Sequence, residues 1–390
     1  MGKIPEDALV WAEIDLKAIA HNVRELRRIT NPSARLMAVV KANGYGHGAL
    51  EVAKEALNSG AKFLGVARIG EAIPLRKAGI SAPILIFGTT PASGMGALIE
   101  LDLTQTVFSF ESARVLSQAA SQSGKRIRVH IKVDTGMGRL GVLSRVGRAD
   151  AAPGENAQGA LHEIESILRL PGLDVEGLYT HFAGADLKDQ SYAKEQLERF
   201  LSLGEQLRRN GIEFRVRHAA NSAALIDIPE SHMDMVRPGI SIYGLYPSEE
   251  VNRERVDLKP AMALKARIVQ LKDVPAGFKV SYGMTHETPG PTGLATIAVG
   301  YADGLRRALS SRGRMLAGGR SVPIVGRVCM DLTMLDVGGA SGLHAGDEVV
   351  LFGRQGESFI SVDEVASELG TIHYEVVTTI SERVPRVYLT

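Results

Sequence analysis

The sequence predicts an α/β chain, with an N-terminal (β/α)8 TIM-type barrel over residues 1–245 and a mainly β C-terminal domain over 246–390. Three observations predict it. From residue 36, short apolar and often β-branched runs alternate with longer amphipathic stretches about eight times. That alternation fills the roughly 200–250 residues that a closed barrel occupies. Beyond about residue 245 the long helical patterns vanish, and short apolar runs are separated by Gly and Pro turns.

The elements follow in order. Residues 11–15 are strand-like, precede the barrel, and could pair with either domain. Barrel strands are expected at 36–40, 63–67, 84–87, 104–108, 127–133, 175–181, 214–218 and 235–243, mostly ending at Gly, Asp, Asn or His. Helical stretches are expected at 46–58, 70–78, 111–122, 158–170 and 191–209. In the last, Tyr192, Leu197, Phe200, Leu201, Leu203 and Leu207 fall mainly on one face. Residues 148–159, RADAAPGENAQG, are small, polar and Gly/Pro-containing, and are expected to form a solvated loop before the next helix. An open doubly wound sheet is the rival, but no GxGxxG follows the first strand. In the C-terminal domain, strands are expected at 263–271, 294–299, 321–328, 333–337 and 348–352. The one clear helix there lies near 362–369, with Ser361 as its N-cap.

Bulk properties exclude several function classes. Hydrophobic residues make up 45% of the 390 and charged residues 23%, as in ordinary globular proteins. A net charge of +1, with Lys and Arg dispersed, gives no field for nucleic acid or an anionic membrane. No apolar run reaches the roughly 18 residues of a membrane span. Cys329 is the lone cysteine, so no intrachain disulfide exists. The N-terminus lacks an apolar signal core. The expectation is a cytoplasmic protein.

In a parallel barrel, chemistry sits where the strands end. The first strand ends at Lys41-Ala42-Asn43-Gly44-Tyr45-Gly46-His47-Gly48. A lysine there would be partly desolvated, which lowers its pKa and frees a nucleophilic amine; taken alone, it reads first as a surface lysine on a Gly-rich turn. After the fifth strand comes Asp134-Thr135-Gly136-Met137-Gly138-Arg139, where Arg139 could reach a carboxylate or a phenolic oxygen. Lys132 interrupts that apolar strand, either snorkelling outward or serving a role. His181 ends the sixth strand, where a lone histidine is more often structural. Asn221 or Ser222 could cap the helix after the seventh, and that helix start also suits a phosphate. Arg237 lies amid apolar residues in the eighth and needs a buried partner, of which an acid is the simplest. Together these residues suit a phosphorylated carbonyl cofactor held by a lysine.

Nine stretches, in order, carry a family resemblance: VVKANGYGHG, KVDTGMGRLG, YTHFAGAD, HAANSAA, VRPGISIYGL, VSYGMT, GYADG, GRVCMD and HYEVVTTISERVPR. The chain resembles the fold-type III alanine racemases, which depend on pyridoxal 5′-phosphate (PLP), along nearly its whole length. The resemblance implies the following roles. Lys41 would bond covalently to the cofactor and act as one catalytic base, with Tyr282 as the second. Tyr45, Ser222, the amides of Gly239 and Ile240, and Tyr374 would hold the phosphate, with Asn221 beside them. Arg237 would face the pyridine nitrogen, backed by His181. Arg139 would meet the phenolic oxygen and, with the Met330 backbone, the substrate carboxylate. Lys132 is where similar enzymes carry a carbamate. Asp331 is given no role, and Arg306 or Arg307 would line the entrance. No metal is implied.

The same resemblance implies a homodimer with composite sites, Tyr282 coming from the partner subunit, and D-alanine supplied for peptidoglycan. A racemase acting on serine or a broader set of small amino acids is the alternative. A non-catalytic PLP-binding protein is the reading from another class, and it conflicts with the presence of the β domain and Tyr282.

Overall fold

The computed structural model describes residues 4–144, 155–338 and 342–390, with side chains from 159 in the second stretch. It divides into two compact units. One holds the chain up to Ala18, Tyr45–Gly48 and Pro260–Thr390; the other holds Ile19–Gly44 and Ala49–Lys259.

The second unit is an eight-stranded parallel barrel-like sheet with its helices, as the alternating pattern predicts. Its strands, in chain order, are Arg35–Val39, Phe63–Val66, Ile84–Ile86, Thr104–Val107, Ile127–Asp134, Leu173–Tyr179, Val216–His218 and Met235–Val236. The first seven pair in sequence order, and the eighth pairs with the first through Met235↔Arg35 and Val236↔Leu36 but forms no ladder with the seventh. Between the seventh and eighth, Asp234 N donates to Arg217 O at 3.1 Å and Arg237 N to Ala220 O at 3.0 Å. Met37, Phe63, Leu85, Val216 and Met235 form a buried cluster inside it.

Four expectations are corrected. The eighth strand ends at Val236, not 243, because Pro238 lacks an N–H to extend the ladder; Ile240–Tyr243 is a 3-10 helix instead. The helix expected from 46 begins at Ala49. Helix Glu155–Leu168 starts inside the expected 148–159 loop, and residues 148–154 lie outside the described residues. The compact barrel unit runs to Lys259, beyond 246. Tyr246 Oη donates to Val256 O, Asn252 N to Asp227 Oδ2, and Lys259 N to Asn22 Oδ1, tying 246–259 to it. Helix Leu16–Ile29 was not expected; its amide at Ala18 is capped by Asp15 Oδ1 at 3.0 Å.

The other unit is mostly strand. Its sheet runs Arg320–Pro323, Arg314–Ala317, Glu348–Gln355, Met262–Val274, Val10–Asp15 and Arg386–Leu389, with Thr292–Ile297 joining Met262–Val274 to Thr333–Asp336. Val10–Asp15 therefore pairs within this unit, antiparallel to Met262–Val274 and parallel to Arg386–Leu389. Ser361 caps helix Val362–Leu369, its Oγ accepting from Glu364 N at 3.0 Å. A second helix, His373–Thr378, was not expected. No helix among the described residues is long and apolar enough to cross a membrane.

Candidate active site

The barrel unit gathers its polar groups where the parallel strands end. Lys41 follows the first strand and opens a left-handed turn: Ala42, Asn43, Gly44 and Tyr45 all have φ between 50° and 62°. Left-handed backbone costs roughly 1–2 kcal/mol per L-residue with a Cβ, so other contacts must hold the turn. Glu71 does so, its carboxylate accepting from Ala42 N at 2.7 Å and from Ala67 N at 2.6 Å. Asn43 Oδ1 accepts from Ala49 N at 3.0 Å. Burial, and then the charge of Arg139, lower the Lys41 pKa.

Asp134 shapes the loop that presents Arg139. Its carboxylate accepts from the amides of Gly136 at 2.9 Å, Gly138 at 3.1 Å and Arg139 at 3.1 Å. Burial pushes this carboxyl up, but the amides outweigh it and hold it below the usual range. Such a group stabilises the fold fully above the unfolded Asp value of about 3.9, and loses that contribution as pH falls through the folded value. Asp134→Ala is expected to lower stability by about 3 kcal/mol at neutral pH, since bonds to a charged acceptor are worth about 1.5–3 kcal/mol each. The loss should shrink in acid, which urea unfolding at several pH values reads.

Lys132 is buried, with its Nζ 5.9 Å from the Tyr179 ring centroid. Burial, then the charges of Arg139 and Arg237, lower its pKa to about 8. Arg237 is buried too, and burial brings it to about 10. It donates to the carbonyls of Thr180 at 2.8 Å and Ala219 at 3.0 Å, and to the imidazoles of His218 at 2.9 Å and His181 at 3.2 Å. Among the described residues no carboxylate lies within ion-pair distance of it, so the acid expected as its direct partner is replaced by imidazoles and carbonyls. Burial, then Arg237 and Arg139, push His181 well below its ordinary value, leaving it neutral.

The helix start after the seventh strand is capped by Asn221, whose Oδ1 accepts from Ala224 N at 2.9 Å. Asn221 therefore takes the capping role. Ser222 Oγ accepts from Gly239 N at 2.9 Å and Ser241 N at 3.4 Å. Ser241 Oγ, buried beside them, has no hydrogen-bond partner among the described residues. Hydroxyls and amides clustered this way suit an anion.

In the β unit, Tyr45 and Tyr374 face one another with ring centroids 6.2 Å apart. His373 stacks on Tyr374 at 4.9 Å, and its Nδ1 lies 2.9 Å from Asp363. Tyr282 is 73% exposed and Met330 53%. Their segments adjoin, Ser281 Oγ donating to Arg327 O at 2.7 Å. Asp331, left without a role, accepts from Arg383 at 2.7 Å, as does the buried Asp303. Arg306 pairs with Glu375 at 2.7 Å. His286–Glu287 forms a small hairpin with Lys279–Val280.

Sequence reasoning missed Glu71, Asp134 and Gln196. Gln196 is fully buried and bridges His181 O and Ala183 N. Only Asp134 carried a local signal, an Asp followed by Thr-Gly-Met-Gly, which favours a turn on the carboxylate. Among the described residues no group of three or more His, Cys, Asp or Glu is arranged to hold a metal ion.

Comparison with known proteins agrees along the whole chain. Residues 14–247 match the family described as alanine racemase, N-terminal domain, and residues 261–388 its C-terminal domain. A curated alanine racemase of Desulfosudis oleivorans is 58% identical over 384 residues, covering 98% of this chain and 97% of that protein. The alanine racemase structure from Clostridium difficile 630 superposes with a TM-score of 0.91 at 37% identity, covering 99% of this chain and 97% of that one. One from Bartonella henselae, described with covalently bound pyridoxal phosphate, gives a TM-score of 0.83 at 26% identity, covering 98% of this chain and 100% of that one. The chain belongs to the alanine racemase family of isomerases.

Proposed function

We propose that this enzyme interconverts L- and D-alanine by a two-base mechanism, with PLP held covalently by Lys41. The observation that carries the reading is the setting of Lys41: a half-buried amine at a strand end, its pKa lowered, in the barrel unit that also holds buried cations and an anion-ready cluster. The residues fit the cofactor. Ser222, the amides of Gly239 and Ile240, Tyr45 and Tyr374 would hold its phosphate, and Ser241 Oγ has hydrogen-bonding capacity to spare. Arg139 would meet its phenolic oxygen and Arg237 its ring nitrogen. When bound, the cofactor supplies an electron sink for the charge that develops at the substrate Cα.

Racemisation removes the Cα proton from one face and returns one to the other. Lys41, whose pKa burial and Arg139 lower, takes or gives the proton on one face. The Tyr282 hydroxyl serves the opposite face. Arg237 presents N–H groups without handing over a proton, because its value of about 10 keeps it charged at neutral pH. Arg139 and the Met330 backbone orient the substrate carboxylate. The high exposure of Tyr282 and Met330 supports a homodimer in which the partner subunit's Tyr282 completes each site. Lys132, at about 8, has a neutral amine available to take up carbon dioxide, with loss of a proton, and the resulting carbamate would balance Arg139. The product would feed peptidoglycan synthesis.

Assay of both amino acids tests the substrate. Alanine is expected to racemise with kcat/KM at least about tenfold above serine, because one added hydroxyl shifts binding by about 1–3 kcal/mol. Inert alanine with reactive serine would overturn the assignment to alanine.

A further inference from the structure

Arg237 begins a buried chain of hydrogen bonds that no step above uses. Its Nη1 lies 2.9 Å from His218 Nδ1; His218 Nε2 lies 2.8 Å from His130 Nδ1; and His130 Nε2 lies 3.3 Å from Glu176 Oε2. Both imidazoles are fully buried, and the Tyr179 ring stacks on His218 at 4.6 Å.

The chemistry of the donors fixes the direction. A guanidinium only donates, so His218 Nδ1 must accept. A neutral His218 then carries its proton on Nε2 and donates to His130 Nδ1. His130 in turn carries its proton on Nε2 and donates to the carboxylate. Burial keeps both imidazoles below their ordinary pKa, and the His130 bond holds Glu176 below the usual carboxylate range. One arrangement of protons satisfies all three bonds.

Two features of the strands are built for this chain. The ladder between Ile127–Asp134 and Leu173–Tyr179 pairs Val129 with Val175 and then His130 with Gly177. Glu176 is thus the extra residue of a β-bulge, the device that re-aims a side chain. Gly177 lies against the His130 ring so closely that an added Cβ would sit 2.6 Å from Nδ1. Other charges near Glu176 are already paired: Arg215 with Asp174 at 2.8 Å, and Arg128 with Asp102.

We propose that Glu176 and His130 are positioning residues of this site: the Glu176 carboxylate, acting through His130 and His218, fixes a single direction of donation away from Arg237 and so holds the guanidinium in place at the strand ends. The effect on turnover rests on the role proposed for Arg237; the proton arrangement does not.

The test combines spectroscopy with kinetics on the full-length enzyme. Labelled with 15N-histidine at neutral pH, it should show His130 and His218 neutral, each with its proton on Nε2. Glu176→Leu should broaden or shift both Nε2–H signals and lower kcat about tenfold through misplacement of Arg237, with KM changed less than about twofold. Glu176→Gln, whose Oε1 accepts the same bond, should recover most of both. Should the leucine variant not fold, Glu176→Met keeps the length and removes the acceptor. A proton on Nδ1 of either imidazole, or unchanged signals and kcat in the variant lacking the acceptor, would overturn the proposal. Correct tautomers in a protein that binds no PLP would instead overturn the cofactor reading and leave the chain intact.

Discussion

Lys41→Ala is expected to lower kcat for alanine racemisation by at least about 10³-fold. Two losses add. The amine proposed to hold the cofactor disappears, and so does one of the two groups proposed to move the Cα proton, a contribution of about 10²–10⁴ by itself. The fold should survive, because the left-handed turn is held by Glu71 and Asn43 through backbone amides and not by the lysine side chain. Circular dichroism matching the unaltered protein would separate lost chemistry from lost structure. Retention of more than about a tenth of the activity would contradict the nucleophile role.

Tyr282→Phe is the second large effect. It removes one oxygen from a side chain that is 73% exposed, so stability should change little. The racemisation rate should fall about 10²–10⁴-fold. The loss should also be one-sided. In deuterated water, one enantiomer should still exchange its Cα hydrogen through Lys41 while inversion is blocked; the other should lose both. Proton NMR of each pure enantiomer separates exchange from inversion. Equal loss of exchange from both enantiomers would count against two opposed bases.

Much of the barrel was legible in the sequence because strands such as RLMAV, FLGV and ILI are short apolar runs that stand out between amphipathic helices. The eighth strand misled for the same reason. Residues 235–243 carry Met235, Val236, Ile240, Ile242 and Tyr243 and read as one strand, but Pro238-Gly239 ends it after two residues. Helix Leu16–Ile29 carries a legible signal, Ile19, Val23 and Leu26 being buried at helical spacing, but it lies ahead of residue 36, where the alternating barrel pattern begins. The left-handed turn after Lys41 was invisible: nothing local makes Ala42 or Tyr45 adopt positive φ, and only contacts distant in sequence impose it.

The site shows the same division. The residues proposed to carry chemistry, Lys41, Arg139, His181, Ser222 and Arg237, stand out in the sequence because strand ends and motifs expose them. Residues that position them were missed, because an acid such as Glu71 or Glu176 gains its meaning only from a partner far along the chain. Arg237 illustrates the point. Burial of its charge correctly required a partner, but a direct carboxylate was the wrong guess; the acid stands two imidazoles away. Lys132 drew attention for the right physical reason, a cation inside an apolar strand, and its lowered pKa is what permits the carbamate proposed for it.

Chemical trapping shows which lysine, if any, bonds to the cofactor. The enzyme as purified would be reduced with borohydride, digested, and its peptides weighed. A reduced pyridoxyl phosphate adduct is expected on Lys41 alone, with loss of activity in proportion to labelling and no adduct in Lys41→Ala. An adduct on another lysine, or an active enzyme that carries none, would contradict it.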